Sequence, residues 1–297
     1  MIKFIAEDLR KLWVPRVDSQ GEDNGQVTII GGSSLFHGAP ILSLKTASRI
    51  ADMVFFASPE PSLAEVVAQI KVGLSSFIWV PWKDLGKYIE KSDAVLIGPG
   101  LMRFKKEGSA SQKEMDLLDG AGRETRKLTR DLLSKFPHKK WVIDGGSLQV
   151  MDPAWIPKEA IVTPNRKEWE ILNSSVLRDP LSLIKEEEGG SSIEEFAKRH
   201  HCVVVQKGAV GYVSDGETTY EIDGGNAGLT HGGTGDVLAG VIVGLLAKNP
   251  PLLAAAAGSL VVKKTAEELA ARVGYNFNAD DVAEKVFEVM KQEEDRI

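Results

Sequence analysis

Residues 232–236 read Gly-Gly-Thr-Gly-Asp and run directly into the apolar stretch Val237 to Leu246. Glycine weakens a helix and adds no contacts, so a glycine-rich approach to the most apolar helix of a chain needs a reason. Backbone N–H groups at a helix start have no partner within the helix and sit at its positive end. Small residues let an anion come close to them, and successive amides form a concavity that suits phosphate. Gly232, Gly233, Thr234 and Gly235 are therefore read as an anion hole. No Gly-Lys-Ser/Thr ending follows, so this is not the P-loop pattern. Asp236 falls in the first helical turn. It either caps the helix or accepts the proton of a hydroxyl that attacks a phosphorus atom. A carboxylate beside an anion hole repels phosphate unless it has a task, and we read Asp236 as the base.

The elements that must position these residues alternate along the chain. Apolar runs at 26–30, 52–57, 77–80, 93–98, 140–144, 160–163 and 202–206 are candidate strands, followed by 211–215 and 218–222, a hairpin turning at Gly216-Glu217. Helical patterns cover roughly 39–51, 61–70, 110–135, 166–173, 192–200, 234–247, 251–272 and 279–292. Strands apolar throughout and separated by helices imply an α/β fold, with a central, mostly parallel sheet covered on both faces. The ends of the strands are as informative as the strands. Gly31-Gly32-Ser33, Pro99-Gly100-Leu101, Asp144-Gly145-Gly146-Ser147, Pro164-Asn165 to Glu168 and Lys207-Gly208-Ala209 each follow a strand. Ligands in open α/β sheets bind at the carboxyl ends of strands, so these five segments predict a cleft along one edge.

Composition narrows the class. The chain has 297 residues, 43% hydrophobic and 26% charged, with a net charge of −6. That balance is ordinary for a globular protein and carries no nucleic-acid footprint. No run approaches the ~20 apolar residues of a membrane span, and the N-terminus lacks a signal-peptide core; a cytoplasmic location is expected. Cys202 is the single cysteine, in a strand-like setting that makes it a small hydrophobe rather than a nucleophile. The polar segments 103–130 and 174–192 lie between core elements. The first could be a lid, or simply a solvated helix. Alternation resumes after each, so we expect one domain over 1–297.

GNAGLTHGGTGDVLAGVIVGLLA resembles the signature of the ribokinase-like superfamily in the form carried by NAD(P)H-hydrate dehydratases. VTIIGGSSLFHGAP, AVLIGPGL, WVIDGGSL and VVVQKGAV match in the same order, and the resemblance spans roughly 25–290. It implies a ribokinase-like fold and repair of nicotinamide cofactors in which water has added across the reduced ring. By motif, Ala39 and Gly100 would line the hydrated nicotinamide and Asp236 would contact the hydrate. Lys207, Gly208, Ala209, Val210, Gly211 and Gly235 would hold the nucleotide. The resemblance further implies ADP or ATP as phosphoryl donor, Mg²⁺, a homo-oligomer (a tetramer by analogy), and an epimerase supplied by a separate protein.

The sequence also departs from the family. Members usually carry His where Asn165 stands. Asn165 with Glu168 is the form seen in small-molecule kinases of the superfamily, where it organises Mg²⁺; Asn165 is accordingly expected near substrate and Glu168 near the metal. The second Asp of the family's DADAL stretch is Gly146, and Arg49-Ile50-Ala51-Asp52-Met53 replaces an Arg-Thr-Gly-Ala-Gly segment. A vitamin-precursor kinase is thus the alternative activity, and a non-catalytic nucleotide-binding regulator the alternative class. His37 could touch phosphate or pack. His231 could do no more than close the anion loop.

Overall fold

The computed structural model describes residues 1–104, 120–174 and 192–295. Ten strands form one sheet: β1 (Ile2–Lys3), β2 (Gln26–Ile30), β3 (Met53–Ala57), β4 (Ile78–Trp79), β5 (Ala94–Ile97), β6 (Lys140–Ile143), β7 (Ile161–Val162), β8 (Val203–Gln206), β9 (Gly211–Ser214) and β10 (Thr219–Ile222). Their order is β1-β10-β9-β8-β7-β6-β5-β2-β3-β4. Among the described strands only the pairings of β9 with β8 and β10 are antiparallel. The chain reverses at 207–210, between β8 and β9, and again at the expected hairpin turn Gly216-Glu217, between β9 and β10. The expected runs at 26–30, 93–98 and 202–206 become central strands because both of their faces are buried. Val203 and Val205 enter the core on one side of the sheet, while Val204 between them enters the other. This is the two-residue period of a strand seen from both sides.

The helices are α1 (Gly38–Ala47), α2 (Leu63–Ile70), α3 (Leu85–Lys91), α4 (Gly120–Lys135), α5 (Gly145–Leu148), α6 (Arg166–Leu172), α7 (Ile193–His200), α8 (Thr234–Leu246), α9 (Pro251–Val273) and α10 (Ala279–Asp295). One face of the sheet packs against α1 and α8 to α10, through residues such as Leu44, Val241, Val261 and Val286. The other packs against α3, α4 and α7 through Ile89, Leu133 and Phe196. Helix α8 is buried nearly all round, which accounts for its uniform apolarity. The Ser43 hydroxyl on α1 donates to the Asp236 carbonyl at 2.8 Å, and the Thr46 hydroxyl donates to the Val237 carbonyl at 3.3 Å. The start of α8 is thereby pinned.

Three expectations change at this level. Helix α1 stops at Ala47, short of residue 51. The expected strand at 77–80 is paired only at Ile78–Trp79, on the sheet edge. The expected helix over 110–135 is described from Gly120 onward, so most of the 103–130 segment, expected as a lid or a solvated helix, and most of 174–192 lie outside the described residues. No described helix is long and apolar enough to cross a membrane.

Candidate active site

The five glycine- or polar-bearing strand ends follow β2, β5, β6, β7 and β8, which are consecutive neighbours in the sheet order β8-β7-β6-β5-β2. All five strands are parallel, so their carboxyl ends share one edge. A cleft of about 930 Å³ opens there. Ala39, Gly100, Asn165, Glu168, Lys207, Gly208, Ala209, Gly211 and all of Gly232 to Asp236 line it. Of the residues singled out from sequence, Val210 points elsewhere: it is 43% exposed and does not line the cleft. His37 stands at the start of α1, also outside the lining.

The anion hole is built by one backbone turn. Gly233 takes φ +96°, a left-handed conformation that L side chains rarely adopt, and caps α8. A Cβ there would lie 2.5 Å from Leu42 Cδ1 and 2.9 Å from Ala279 Cβ. The Thr234 hydroxyl donates to the Leu229 and His231 carbonyls at 2.7 and 3.0 Å. His231 Nδ1 donates to the Gly228 carbonyl at 2.7 Å. Thr234 and His231 thus hold the loop closed with their side chains, and the backbone is left to meet an anion. Asp236 sits one turn-position behind. Burial, reinforced by the carboxylates of Asp144 and Glu168, pushes its pKa up to about 7, while Lys207 acts against that rise. A carboxyl that titrates near neutral pH is poised to take a proton during a reaction.

Behind Asp236 lies a charge cluster that the sequence reading had only partly assembled. Asp144, following β6, is 2% exposed. It accepts from the Thr163 hydroxyl at 2.6 Å and from Lys207 Nζ at 3.0 Å, both through Oδ1. Lys207 Nζ also stands 3.8 Å from Glu168 Oε2. The same ammonium would be 3.3 Å from a Cβ placed on Gly235. Lys207 therefore faces the first turn of α8, between two carboxylates and the anion hole. Burial lowers the pKa of Lys207, but the Asp144 and Glu168 carboxylates more than offset this, and the net shift is upward. Glu168 is raised, by burial first and then by Asp144, with Lys207 opposing.

Asn165 does something the motif did not suggest. Its side-chain oxygen accepts from the Glu168 amide at 3.0 Å, and Glu168 Oε2 accepts from the Asn165 amide at 2.9 Å. This reciprocal pair is a capping box that starts α6. The other Glu168 oxygen accepts from Gln149 Nε2 at 3.1 Å. Gln149 was not singled out from sequence, and Asp144 was named only as a strand end, with no role. For Asp144 the available signal was a carboxylate at the very end of a buried strand, followed at once by two glycines.

The family model for NAD(P)H-hydrate dehydratase matches residues 27–288. The chain belongs to that family. It is 30% identical to the ADP-dependent (S)-NAD(P)H-hydrate dehydratase of Nitrosopumilus maritimus, with 97% of each chain covered. It is 28% identical to the bifunctional NAD(P)H-hydrate repair enzyme Nnr of Pyrobaculum aerophilum, matching 93% of this chain and 52% of that protein. Among solved structures, a ribokinase-like superfamily protein from Enterococcus faecalis superposes with TM-score 0.71 at 20% identity, covering 98% of this chain and 96% of that one. The ADP/ATP-dependent NAD(P)H-hydrate dehydratase of Bacillus subtilis, co-crystallized with ATP/Mg²⁺, gives 0.72 at 19% identity, covering 98% of each chain. These two likenesses establish the ribokinase-like fold. The family match does not favour the vitamin-precursor kinase; the capping box gives Asn165 a local role, while Glu168 also lines the cleft.

Proposed function

We propose that the cleft dehydrates the S form of hydrated NADH or NADPH back to the reduced cofactor, driven by phosphoryl transfer from ADP. The observation that carries this reading is the placement of Asp236, with its near-neutral pKa, at the glycine-rich start of α8. Hydroxide is a poor leaving group and phosphate a good one. Asp236 takes the proton of the ring hydroxyl as its oxygen attacks the terminal phosphoryl of the nucleotide. The amides of 232–235 stabilise charge on the equatorial oxygens, and Lys207 adds a positive charge beside them. The bond from phosphorus to the AMP oxygen breaks. The ring nitrogen then expels the new phosphate ester as inorganic phosphate, and the neighbouring ring carbon loses a proton. The products are AMP, phosphate and the restored dihydropyridine, with the hydrate oxygen now in phosphate.

Ala39 and Gly100, which line the cleft, would meet the hydrated ring, and Lys207 to Ala209 with Gly211, which also line it, would meet the nucleotide. Asn165 lines the cleft at the start of α6 and would meet the substrate from there. Among the described residues no three His, Cys, Asp or Glu side chains converge as a metal cage. Mg²⁺ takes most of its ligands from water and substrate phosphates and needs one or two carboxylates. Glu168 and Asp144 line the cleft and would hold it; bound there, it would neutralise phosphate charge. Interconversion of the two hydrate forms would fall to an epimerase. The test is to offer hydrate labelled with heavy oxygen in its hydroxyl, with ADP or ATP. Return of dihydropyridine absorbance, with label in the released phosphate, is expected. Restored absorbance with label in water would remove the phosphoryl-transfer step.

A further inference from the structure

Lys263, in the middle of α9, is 8% exposed and lies among buried Leu260, Val261 and Val262. Its ammonium donates to three backbone carbonyls: Gly208 at 3.1 Å, Ala209 at 2.7 Å and Gly224 at 3.0 Å. An ammonium has three protons and no acceptor capacity, so these bonds use it completely. Burial lowers its pKa, with Asp223 and Glu267 opposing. The neighbourhood is cleared for this side chain. A Cβ on Gly211 would lie 3.2 Å from Lys263 Cε, and one on Gly225 would lie 3.1 Å from Lys263 Cγ.

What the lysine joins is more telling than its burial. Gly208 and Ala209 follow β8, on the nucleotide side of the cleft. Gly224 follows β10, two strands away in the sheet, with β9 between. The same helix grips the second loop twice more: the Gly225 amide donates to Glu267 Oε1 at 3.1 Å, and Asn226 Nδ2 donates to the Ala266 carbonyl at 2.6 Å. From Asn226 the chain passes through the 3-10 turn Ala227–Thr230 straight into the anion hole. Lys263 alone among these α9 contacts also reaches the first loop.

We infer that Lys263 is a positioning residue: by tying the Gly208-Ala209 loop to the Gly224 loop through three carbonyls, it fixes the nucleotide wall of the cleft against the anion hole. This rests on the nucleotide-dependent reading above. Without the ammonium, three carbonyls lose their donor and the two loops are free to separate. A ligand that bridges them must then order them on binding, which weakens its affinity. The hydrated ring, on the far side near Ala39 and Gly100, should be little affected.

The experiment is steady-state kinetics with ADP and hydrate varied in turn, plus calorimetric ADP binding, for wild type, K263M and K263R. In K263M the KM and Kd for ADP should rise about tenfold or more, with the KM for hydrate changed less than about twofold. K263R, which keeps a multi-donor cation, should recover most of the loss. If K263M is insoluble, K263Q should show the same split with a smaller rise, about threefold, because its amide keeps two donors. Equal rises for both substrates, or unchanged ADP binding, would overturn the clamp while leaving the dehydratase reading intact. Wild type that neither binds ADP nor repairs hydrate would remove both.

Discussion

At the scale of residues, Asp236 can be a base because its surroundings disfavour its charge: burial, and the nearby carboxylates of Asp144 and Glu168. Asp236→Asn removes the proton acceptor while keeping shape. Its kcat should fall by ~10²–10⁴, with ADP affinity nearly unchanged; a folded variant that turns over normally would reduce Asp236 to a cap. Lys207 gives the base a second handle. Its positive charge holds the Asp236 pKa down, so Lys207→Met should raise that pKa further. With Asp236 as base, kcat in wild type should rise with pH through about 7, and in the variant that limb should move to higher pH. A limb that stays put, or moves toward acid, would show that Asp236 does not set it. Asp236 and the glycines before it were legible in sequence because an anion hole needs consecutive small residues, and these leave a local pattern. The partnership of Lys207 with Asp144 was not, since the two are brought together only by the adjacency of β6, β7 and β8. Lys263 was hidden for a further reason: beside Lys264 it reads as part of a solvated helix face, and only packing shows that one of the pair turns inward.

At the scale of elements, legibility followed burial. The strands covered on both faces announced themselves as apolar runs. Strand β1 did not, because its two residues are both exposed and its pairing comes from β10. Helix α3, seven residues with only Leu85 and Ile89 buried, had too few turns to show a period. Asn165 illustrates a different limit. An Asn with a Glu three residues on has the spacing of a capping box and also of a metal-organising pair, and the string of letters cannot separate them. The geometry assigns it to the cap. Asn165→Ala should therefore lower stability by about 1 kcal/mol, seen as a lower thermal midpoint, while Asn165→Asp, which keeps the acceptor, should retain it. The Ala variant should keep hydrate repair within roughly a factor of ten, about 1.4 kcal/mol in barrier. Loss of activity in both variants with unchanged midpoints would return Asn165 to the chemistry.

At the scale of the whole molecule, one sheet edge gathers three carboxylates and one ammonium in a partly buried cleft, and the fold must bear the electrostatic cost. Asp236 has a folded pKa of about 7 against an ordinary value of 3.8. Between those values the folded state holds the proton that the unfolded chain has released. Stability therefore falls as pH rises across that interval, and the penalty is complete above about 7. Asp236→Asn has no charge to disfavour, so it should be more stable than wild type at neutral and alkaline pH. Because the side chain is partly solvated, the gain should be discounted to the order of 1 kcal/mol, about 2 °C for a chain of this length. Below the ordinary aspartate range both proteins carry a neutral group there and the difference should vanish. Thermal midpoints of the two proteins, measured in steps from pH 4 to 8, test this directly. A constant difference across that range would mean that the substitution acts through packing, and a variant less stable at pH 8 than wild type would mean that the charged carboxylate is stabilising, as a simple helix cap would be. The predicted pattern, a dead enzyme that is the sturdier protein only where its base would be ionised, ties the stability of the fold to the same group that performs the proton transfer.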